Sequence, residues 1–422
     1  MIQIAFIRDN KEEVISRLAK RGLNVQNEVD QILRADENRR KTQLQLDNLL
    51  AESNQWSKQV GELFKQGKKE EAEVLRVKSS AAKDQIKTLE SALDEAGKNL
   101  DSLLVQLPNM PHASVPTGKS SEDNEVVLEW GEKPTLYAGA VPHWDIAEKY
   151  NLIDFELGVK ITGAGFPVYL GKGARLQRAL INFFLDEALK AGYREVQPPI
   201  VVNEDSGFGT GQLPDKEGQM YYVNEDQIYL IPTAEVPITN IYRNVILKEN
   251  ELPLRNVGYT PCFRREAGSY GKDVRGLNRL HQFDKVEIVH IAHPENSYDE
   301  LEKMSQYVQG LLQKLELPYR ALRLCGGDMG FASALTYDME VWSAAQQRWL
   351  EVSSVSNFES FQSNRLKCRF KPNEGKNELV HTLNGSALAL PRIVASLLEN
   401  HQDENGVRIP KALQAYTGFD RI

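Results

Sequence analysis

The chain has 422 residues, of which 41% are hydrophobic and 26% charged, with 51 basic against 59 acidic side chains and a formal net charge of −8. This mixture excludes disordered and fibrous chains, and the length is more than one compact core usually organises, so roughly two or three domains are expected. An acidic total also argues against indiscriminate nucleic-acid binding, which needs clustered lysine and arginine. No apolar run approaches the roughly 20 residues of a membrane span. The opening MIQIAFIRDN has neither a basic start nor a sustained apolar stretch. A cytosolic (cytoplasmic) protein without a membrane partner is expected. Cys262, Cys325 and Cys368 are odd in number and widely spaced, without a CxxC pair, which predicts buried free thiols and no structural zinc.

From about Val29 to Leu107 there is no proline, and apolar residues recur at three- and four-residue steps, which is helical spacing. Val29, Ile32, Leu33, Leu46, Leu49, Leu50, Trp56, Val60 and Leu63 mark one long helix. Leu75, Ile86, Leu89, Leu93, Leu100, Leu103, Leu104 and Leu107 mark a second, with Gly67 as the turn between them. Both are too polar to be buried all round, so they should pack antiparallel along a narrow seam. That seam is expected to be loose between Glu37 and Gln45, where apolar residues are few. Residues 30–100 carry 13 Lys plus Arg and 13 Asp plus Glu, so the arm is neutral and the −8 lies elsewhere. Arg34, Arg39, Arg40 and Lys41 cluster on the first helix, Lys65, Lys68 and Lys69 lie near the tip, and Arg76, Lys78, Lys83 and Lys87 lie on the return. From periodicity alone, an oligomerisation coiled coil and a binding arm are equally good readings.

Pro108, Pro111, Pro116 and Gly118, set among polar residues, predict a linker over 108–130. Residues 1–107 are thus expected as the N-terminal domain, with its arm over about 29–107, and 131–422 as a second domain. There, helical segments such as Ala174–Ala191 and Pro294–Leu317 alternate irregularly with short strands, among them Val196–Val202, Gln282–Ile291 and Thr336–Trp342. That order predicts an α+β fold, an antiparallel sheet flanked by helices.

Of two glycine-rich stretches, Gly163–Gly173 has the wrong spacing for a phosphate-cradling loop and Gly207–Gln212 is not expected to open a helix after a strand, so a nucleotide would have to be held by side chains. Such side chains occur over Cys262–Val289. If Cys262–Glu266 is a strand, alternation sets Arg264 and Glu266 on one face and Phe263 and Arg265 on the other. On a partner strand, Phe283, Lys285, Glu287 and Val289 share a face, while Val286, Ile288 and His290 point to an apolar layer. Arginine for a phosphate, phenylalanine for stacking a base and carboxylate for an amine suit a phosphorylated planar ligand, and a basic, glycine-containing loop joins the two strands. A solvated sheet face with chance charges would show the same spacing. His290 and His293 form an HxxH pair, but His290 falls on the apolar layer and His293 precedes a proline, which predicts structural roles.

The run FRRE, a loop, then RLHQFDKVE resembles motif 2 of the class II aminoacyl-tRNA synthetases (near 262–287), in detail that of the seryl-tRNA synthetases. GYREVQPP (192–199) is similar to motif 1, which places Pro199 at a dimer interface, and LNGSALALPRIVASLLEN (383–400) to motif 3. TGQLP (210–214), PTAEVP (232–237) and EVSSVSNF (351–358) are also similar to the seryl-type enzymes. The likeness runs through nearly the whole chain and implies a bacterial-type serine–tRNA ligase with ATP and Mg²⁺. The implied partners are L-serine, tRNA(Ser), tRNA(Sec) where the organism has it, and a second copy of the chain in a homodimer.

By this resemblance, Arg264 would bind the α-phosphate, Glu266 the adenine amino group and Arg279 the γ-phosphate, while Phe283 and Arg392 would stack on the two faces of the adenine. Arg265, Val352 and Ser353 would complete the ATP site, and Glu351 and Ser354 would hold the Mg²⁺. Thr233, Ala234, Glu235, Arg264, Glu287, Thr382 and Ser386 would form the serine pocket. Glu351 and Ser354 are three apart, so a straight strand would aim them at opposite faces and a bulge must intervene. Pro391 sits among helix-like residues and is tolerable only near a helix start. Two rivals are a paralogue that loads a non-tRNA acceptor and a catalytically dead coiled-coil adaptor. The first should lack the arm, and the second should have lost Arg264, Glu266 or Arg392; arm and residues are all present.

Overall fold

The computed structural model describes residues 1–266 and 275–422, which divide into two compact units, Met1–Ala19 with Leu23–Pro108 and Lys20–Gly22 with Asn109–Ile422. In the first, α1 (Ile4–Asp9) and α2 (Lys11–Ala19) precede two long helices, α3 (Gln26–Lys65) and α4 (Lys69–Leu104). At 1.5 Å per residue, α3 is roughly 60 Å long. Gly67 takes φ +78 in the turn, and the Lys68 amide donates back to the Leu63 carbonyl, closing the end of α3.

The seam buries Val29, Ile32 and Leu46 on α3 against Ala72, Ala82, Ala96, Leu100 and Leu104 on α4. Alanine at three of these positions lets the helix axes come close. Leu50, expected in the seam, is 37% exposed, and no residue between 37 and 45 is buried, so the polar middle of α3 is as loosely held as its composition implies. The basic cluster on α3 is partly internal. Asp36 is buried and accepts hydrogen bonds from Arg8 (3.2 Å), Arg39 (3.1 Å) and Arg40 (3.0 Å). A buried carboxylate needs such partners, so two arginines of that cluster hold the fold together.

The second unit is built on an eight-stranded sheet. Its strands are β1 (Glu125–Trp130), β2 (Arg194–Glu195), β3 (Leu254–Phe263), β4 (Gln282–Ala292), β5 (Tyr319–Arg323), β6 (Leu335–Ser343), β7 (Arg348–Asn357) and β8 (His381–Ala389). Their spatial order is β1-β5-β6-β7-β8-β4-β3-β2, antiparallel throughout except for the pair β2 and β3. The helices α5 (His143–Lys149), α6 (Gly171–Lys190), α7 (Ser297–Lys314) and α8 (Leu390–Asn400) complete the frame. Leu180 and Phe184 of α6, Met304 and Val308 of α7 and Ile393 and Leu397 of α8 share one core with Val286 and Ile288 of β4 and Val352 of β7. Val289 and Ile291 belong to a separate apolar cluster with Ala234, Ile238 and Leu366, in keeping with the two-residue alternation of the strand.

Three segments differ from expectation. Of Val196–Val202 only Val201–Val202 is a strand, because Pro198 and Pro199 have no amide hydrogens for a ladder. Helix α7 starts at Ser297 behind a single turn, Pro294–Asn296. Residues 108–130 contain the edge strand β1, and the buried Asn109 side chain donates to the carbonyls of Ala332 and Phe358 at 2.9 and 2.8 Å. Proline and glycine there report a lack of periodicity, which is not a lack of contacts. All three cysteines are free and buried.

Candidate active site

Strand β3 ends at Phe263, so Arg264, Arg265 and Glu266 do not alternate as strand residues. The Arg264 amide donates to His281 O (2.9 Å) and that of Arg265 to Gln219 O (2.9 Å), while Glu266 adopts φ +49. Arg265 is exposed and lies off the cavity described next. The basic glycine-containing loop expected after Glu266 falls in 267–274, outside the described residues.

A cavity of about 220 Å³ collects Arg264, Glu266, Arg279, Phe283, Glu351, Val352, Ser353, Ser386 and Arg392 from β4, β7, β8, α8 and the segments beside β3 and β4. The Arg264 guanidinium lies over the Phe283 ring, 5.2 Å from its centroid. Arg279 Nη1 is 3.1 Å from Glu266 Oε2, so the two groups expected to take opposite ends of a nucleotide are paired with each other here. Arg392 follows Pro391, which occupies the first turn of α8, and its Nη1 donates to the Glu351 carbonyl at 2.6 Å. The proline is tolerated because its missing amide hydrogen would have had no partner in the helix.

Glu351 and Ser354 face the same way. The β6–β7 register shifts between Met339 and Glu340, so that Glu351 opposes Glu340 and Ser354 opposes Asp338, two residues of one β6 face. The bulge demanded by the three-residue spacing is present. Asp338 has a buried Oδ1 without a hydrogen-bond partner among the described residues, and burial together with the Glu351 charge pushes its carboxyl well above the usual range.

A buried polar cluster adjoins the cavity through Lys285, which lines it. Lys285 Nζ donates to Thr233 Oγ1 (2.9 Å) and pairs with Glu287 Oε2 (2.5 Å), and Thr233 donates to Glu287 (3.2 Å). Behind them, Gln362 donates to Glu235 Oε1 (2.6 Å) and accepts from Thr382 (2.7 Å). Burial, reinforced by the Glu287 charge, raises the Glu235 carboxyl to about 7. Thr233, Ala234, Glu235, Glu287 and Thr382 therefore lie beside or behind the cavity without lining it, Thr382 reaching Glu235 only through Gln362.

Sequence reasoning placed Lys285 on the Phe283–Glu287 face but gave it no role. Gln362 and Asn278 carried no signal, since their partners are far away in the chain. Among the described residues no group of three or more His, Cys, Asp and Glu side chains is arranged to hold a metal ion by itself. No helix among them is long and apolar enough to cross a membrane.

Residues 1–111 match the seryl-tRNA synthetase N-terminal domain, and residues 220–401 match the tRNA synthetase class II core domain (G, H, P, S and T). The serine–tRNA ligase of Salinibacter ruber is 51% identical over 424 aligned residues, covering 100% of this chain and 99% of that one. The crystal structure of seryl-tRNA synthetase from Pyrococcus horikoshii complexed with ATP superposes with a TM-score of 0.93 at 38% identity, covering 100% and 99% of the two chains. That of cytoplasmic serine–tRNA ligase from Naegleria fowleri in complex with AMP gives 0.88 at 26% identity, covering 100% and 98%. With domain matches at both ends and full-length identity of this order, the chain belongs to the seryl-tRNA synthetase family.

Proposed function

We propose that this chain activates L-serine with ATP to seryl-adenylate and pyrophosphate and then transfers the seryl group to the 3′ end of tRNA(Ser), using the cavity for the nucleotide and the adjoining Thr233–Lys285–Glu287 cluster for serine. The observation that carries this reading is the convergence of Arg264, Phe283, Glu351 and Arg392 on one cavity whose inner wall, Lys285, belongs to a buried polar cluster.

The chemistry needs no protein nucleophile. A serine carboxylate oxygen attacks the α-phosphorus in line, the bond to the bridging oxygen breaks, and pyrophosphate leaves with the electron pair. Arg264 meets the charge that builds on the α-phosphate, with Phe283 and Arg392 on the two faces of the adenine and Glu266 at its amino group. For Glu266 and Arg279 to act at separate ends of ATP, their mutual ion pair must open. In the second step the terminal adenosine hydroxyl attacks the seryl carbonyl and AMP leaves.

The donor set fits Mg²⁺. The bulge turns Glu351 and Ser354 to one face, beside the orphaned Asp338 oxygen, and oxygen donors suit a hard cation. With too few protein ligands for a self-standing site, Glu351 and Ser354 would hold the ion together with ATP phosphates, where it neutralises phosphate charge. Serine is told from alanine by its hydroxyl, for which Glu287 and Thr382 are the intended partners; a buried group that gives up a present partner for that hydroxyl would be left without one by alanine, which discriminates by about 10⁴–10⁵.

Residues 1–107 are assigned to tRNA binding through the arm, with Lys65, Lys68, Lys69, Arg76, Lys78, Lys83 and Lys87 as its basic surface, and 131–422 to catalysis. A cytoplasmic homodimer that meets along motif 1 completes the reading. Pyrophosphate exchange into ATP, measured with serine, threonine, alanine and cysteine, tests it: exchange is expected with serine, and exchange with alanine but not serine would refute it.

A further inference from the structure

We propose that His143, held by Glu399, is a positioning residue for the nucleotide site: it fixes the chain at Gly276–Asn278, and thereby Arg279, relative to the helix α8 that carries Arg392. The inference rests on the assignment of the cavity to ATP made above.

His143 opens α5 and is fully buried, as is Glu399. Its Nδ1 lies 2.7 Å from Glu399 Oε1, and the Leu277 amide donates to its Nε2 at 2.9 Å. A carboxylate accepts and a backbone amide donates, so both ring nitrogens are assigned: the proton sits on Nδ1, and Nε2 offers its lone pair to Leu277. Glu399 is held in turn by the Ser343 hydroxyl, by Gln346 Nε2 (3.0 Å) and by the His143 amide (3.1 Å). Burial by itself would raise the Glu399 carboxyl, but the hydrogen bonds it accepts from His143 and Ser343 hold it below the usual range.

The contact is built from the other side as well. Gly276 has φ +64, and a β-carbon there would stand 2.3 Å from His143 Nε2, so the backbone closes on the Nε2 edge of the ring. Arg275 lies over the Trp144 ring at 4.6 Å. Asn278 donates to Gln346 (3.0 Å), and its carbonyl accepts from Arg392 Nε (3.2 Å). Each residue from Arg275 to Asn278 is thus anchored. Three of the anchors, His143, Gln346 and Arg392, lead to α8, the first two through Glu399 and the third directly. Arg392 and Glu399 are seven apart, about two turns on one helix face, so a single rigid element sets both Arg392 and the segment that delivers Arg279.

Two substitutions separate the ring's two bonds. In His143→Asn the amide can replace Nδ1 towards Glu399 but cannot reach Leu277; in His143→Gln the longer side chain can offer an oxygen where Nε2 stood but not the donor at Nδ1. Serine-dependent pyrophosphate exchange by the full chain, with KM read separately for ATP and serine, is the measurement. His143→Asn is expected to raise the ATP KM about tenfold, the equivalent of one hydrogen bond of about 1.4 kcal/mol, with the serine KM within about twofold. His143→Gln is expected to restore the ATP KM. An unchanged ATP KM in His143→Asn, or equal rises for ATP and serine in both variants, would reduce His143 to a structural residue and overturn the inference. Gly276→Ala approaches the ring from the loop side and is expected to raise the ATP KM in the same way. It decides the matter if neither histidine variant folds, and an unchanged ATP KM there overturns the inference too. Absence of serine-dependent exchange in the unsubstituted chain would instead refute the functional reading.

Discussion

The helical arm and the sheet unit reach order by different routes. In the arm the buried residues recur at helical spacing along each side of a two-helix seam, and the deeply buried charge of Asp36 is matched by arginines of its own and a neighbouring helix. In the sheet unit, neighbours in the site are separated by long stretches of chain: Lys285 meets Thr233, Gln362 joins Glu235 to Thr382, and Arg392 reaches back to Asn278. Repetition along the chain is enough for a seam, whereas a site needs a topology. An arm of that kind is expected to be separable from the chemistry, whereas a site of this kind is expected not to tolerate the loss of a member.

The sharpest way to test that contrast is Arg264→Ala, which removes the cation proposed to meet the α-phosphate. Serine-dependent exchange should fall on the order of 10²–10³-fold, with the melting temperature little changed. A loss under tenfold would place the phosphate contact elsewhere. Removal of residues 30–100 is the complementary cut: exchange should persist within about twofold, while charging of tRNA(Ser) should drop by roughly 10²-fold as the basic phosphate contacts are lost. Normal charging by the shortened chain would return the arm to an oligomerisation role.

A smaller effect concerns the interior of the site. The carboxyl of Glu235, raised to about 7 by burial and by Glu287, holds its proton more tightly when folded than when unfolded. The native state therefore gains stability that is full below about pH 4.3, the ordinary value for a glutamate, and is lost as the pH rises through 7. Glu235→Gln has no such proton to lose. In urea unfolding its stability relative to the parent should improve between pH 4.5 and 7.5, and a difference that does not change with pH would remove Glu235 as the titrating group.

Much of the molecule was readable from local pattern. The two long helices, the turn at Gly67, the apolar layer behind β4 and the need for a bulge between Glu351 and Ser354 all follow from spacing, because period and handedness are properties of the backbone. Where pattern failed, a non-local or local steric fact intervened. Leu50 fits the helical period yet is exposed, since two helices bury only a narrow stripe. Arg264 and Glu266 follow a strand that has already ended, and Arg265 is turned away with its amide on Gln219.

The sequence by itself determined the class of the protein: a neutral helical hairpin, an α+β unit, and the ordered residues that set its family and chemistry. Tertiary structure alone decided which of those residues share a cavity, that Lys285 and Gln362 tie the buried polar cluster together, and that a histidine more than a hundred residues from Leu277 holds its amide. The reason is physical. Periodicity is written in neighbours a few residues apart, whereas a buried polar group must find its partner wherever the folded chain happens to bring one, and leaving it unpaired costs about 1–3 kcal/mol.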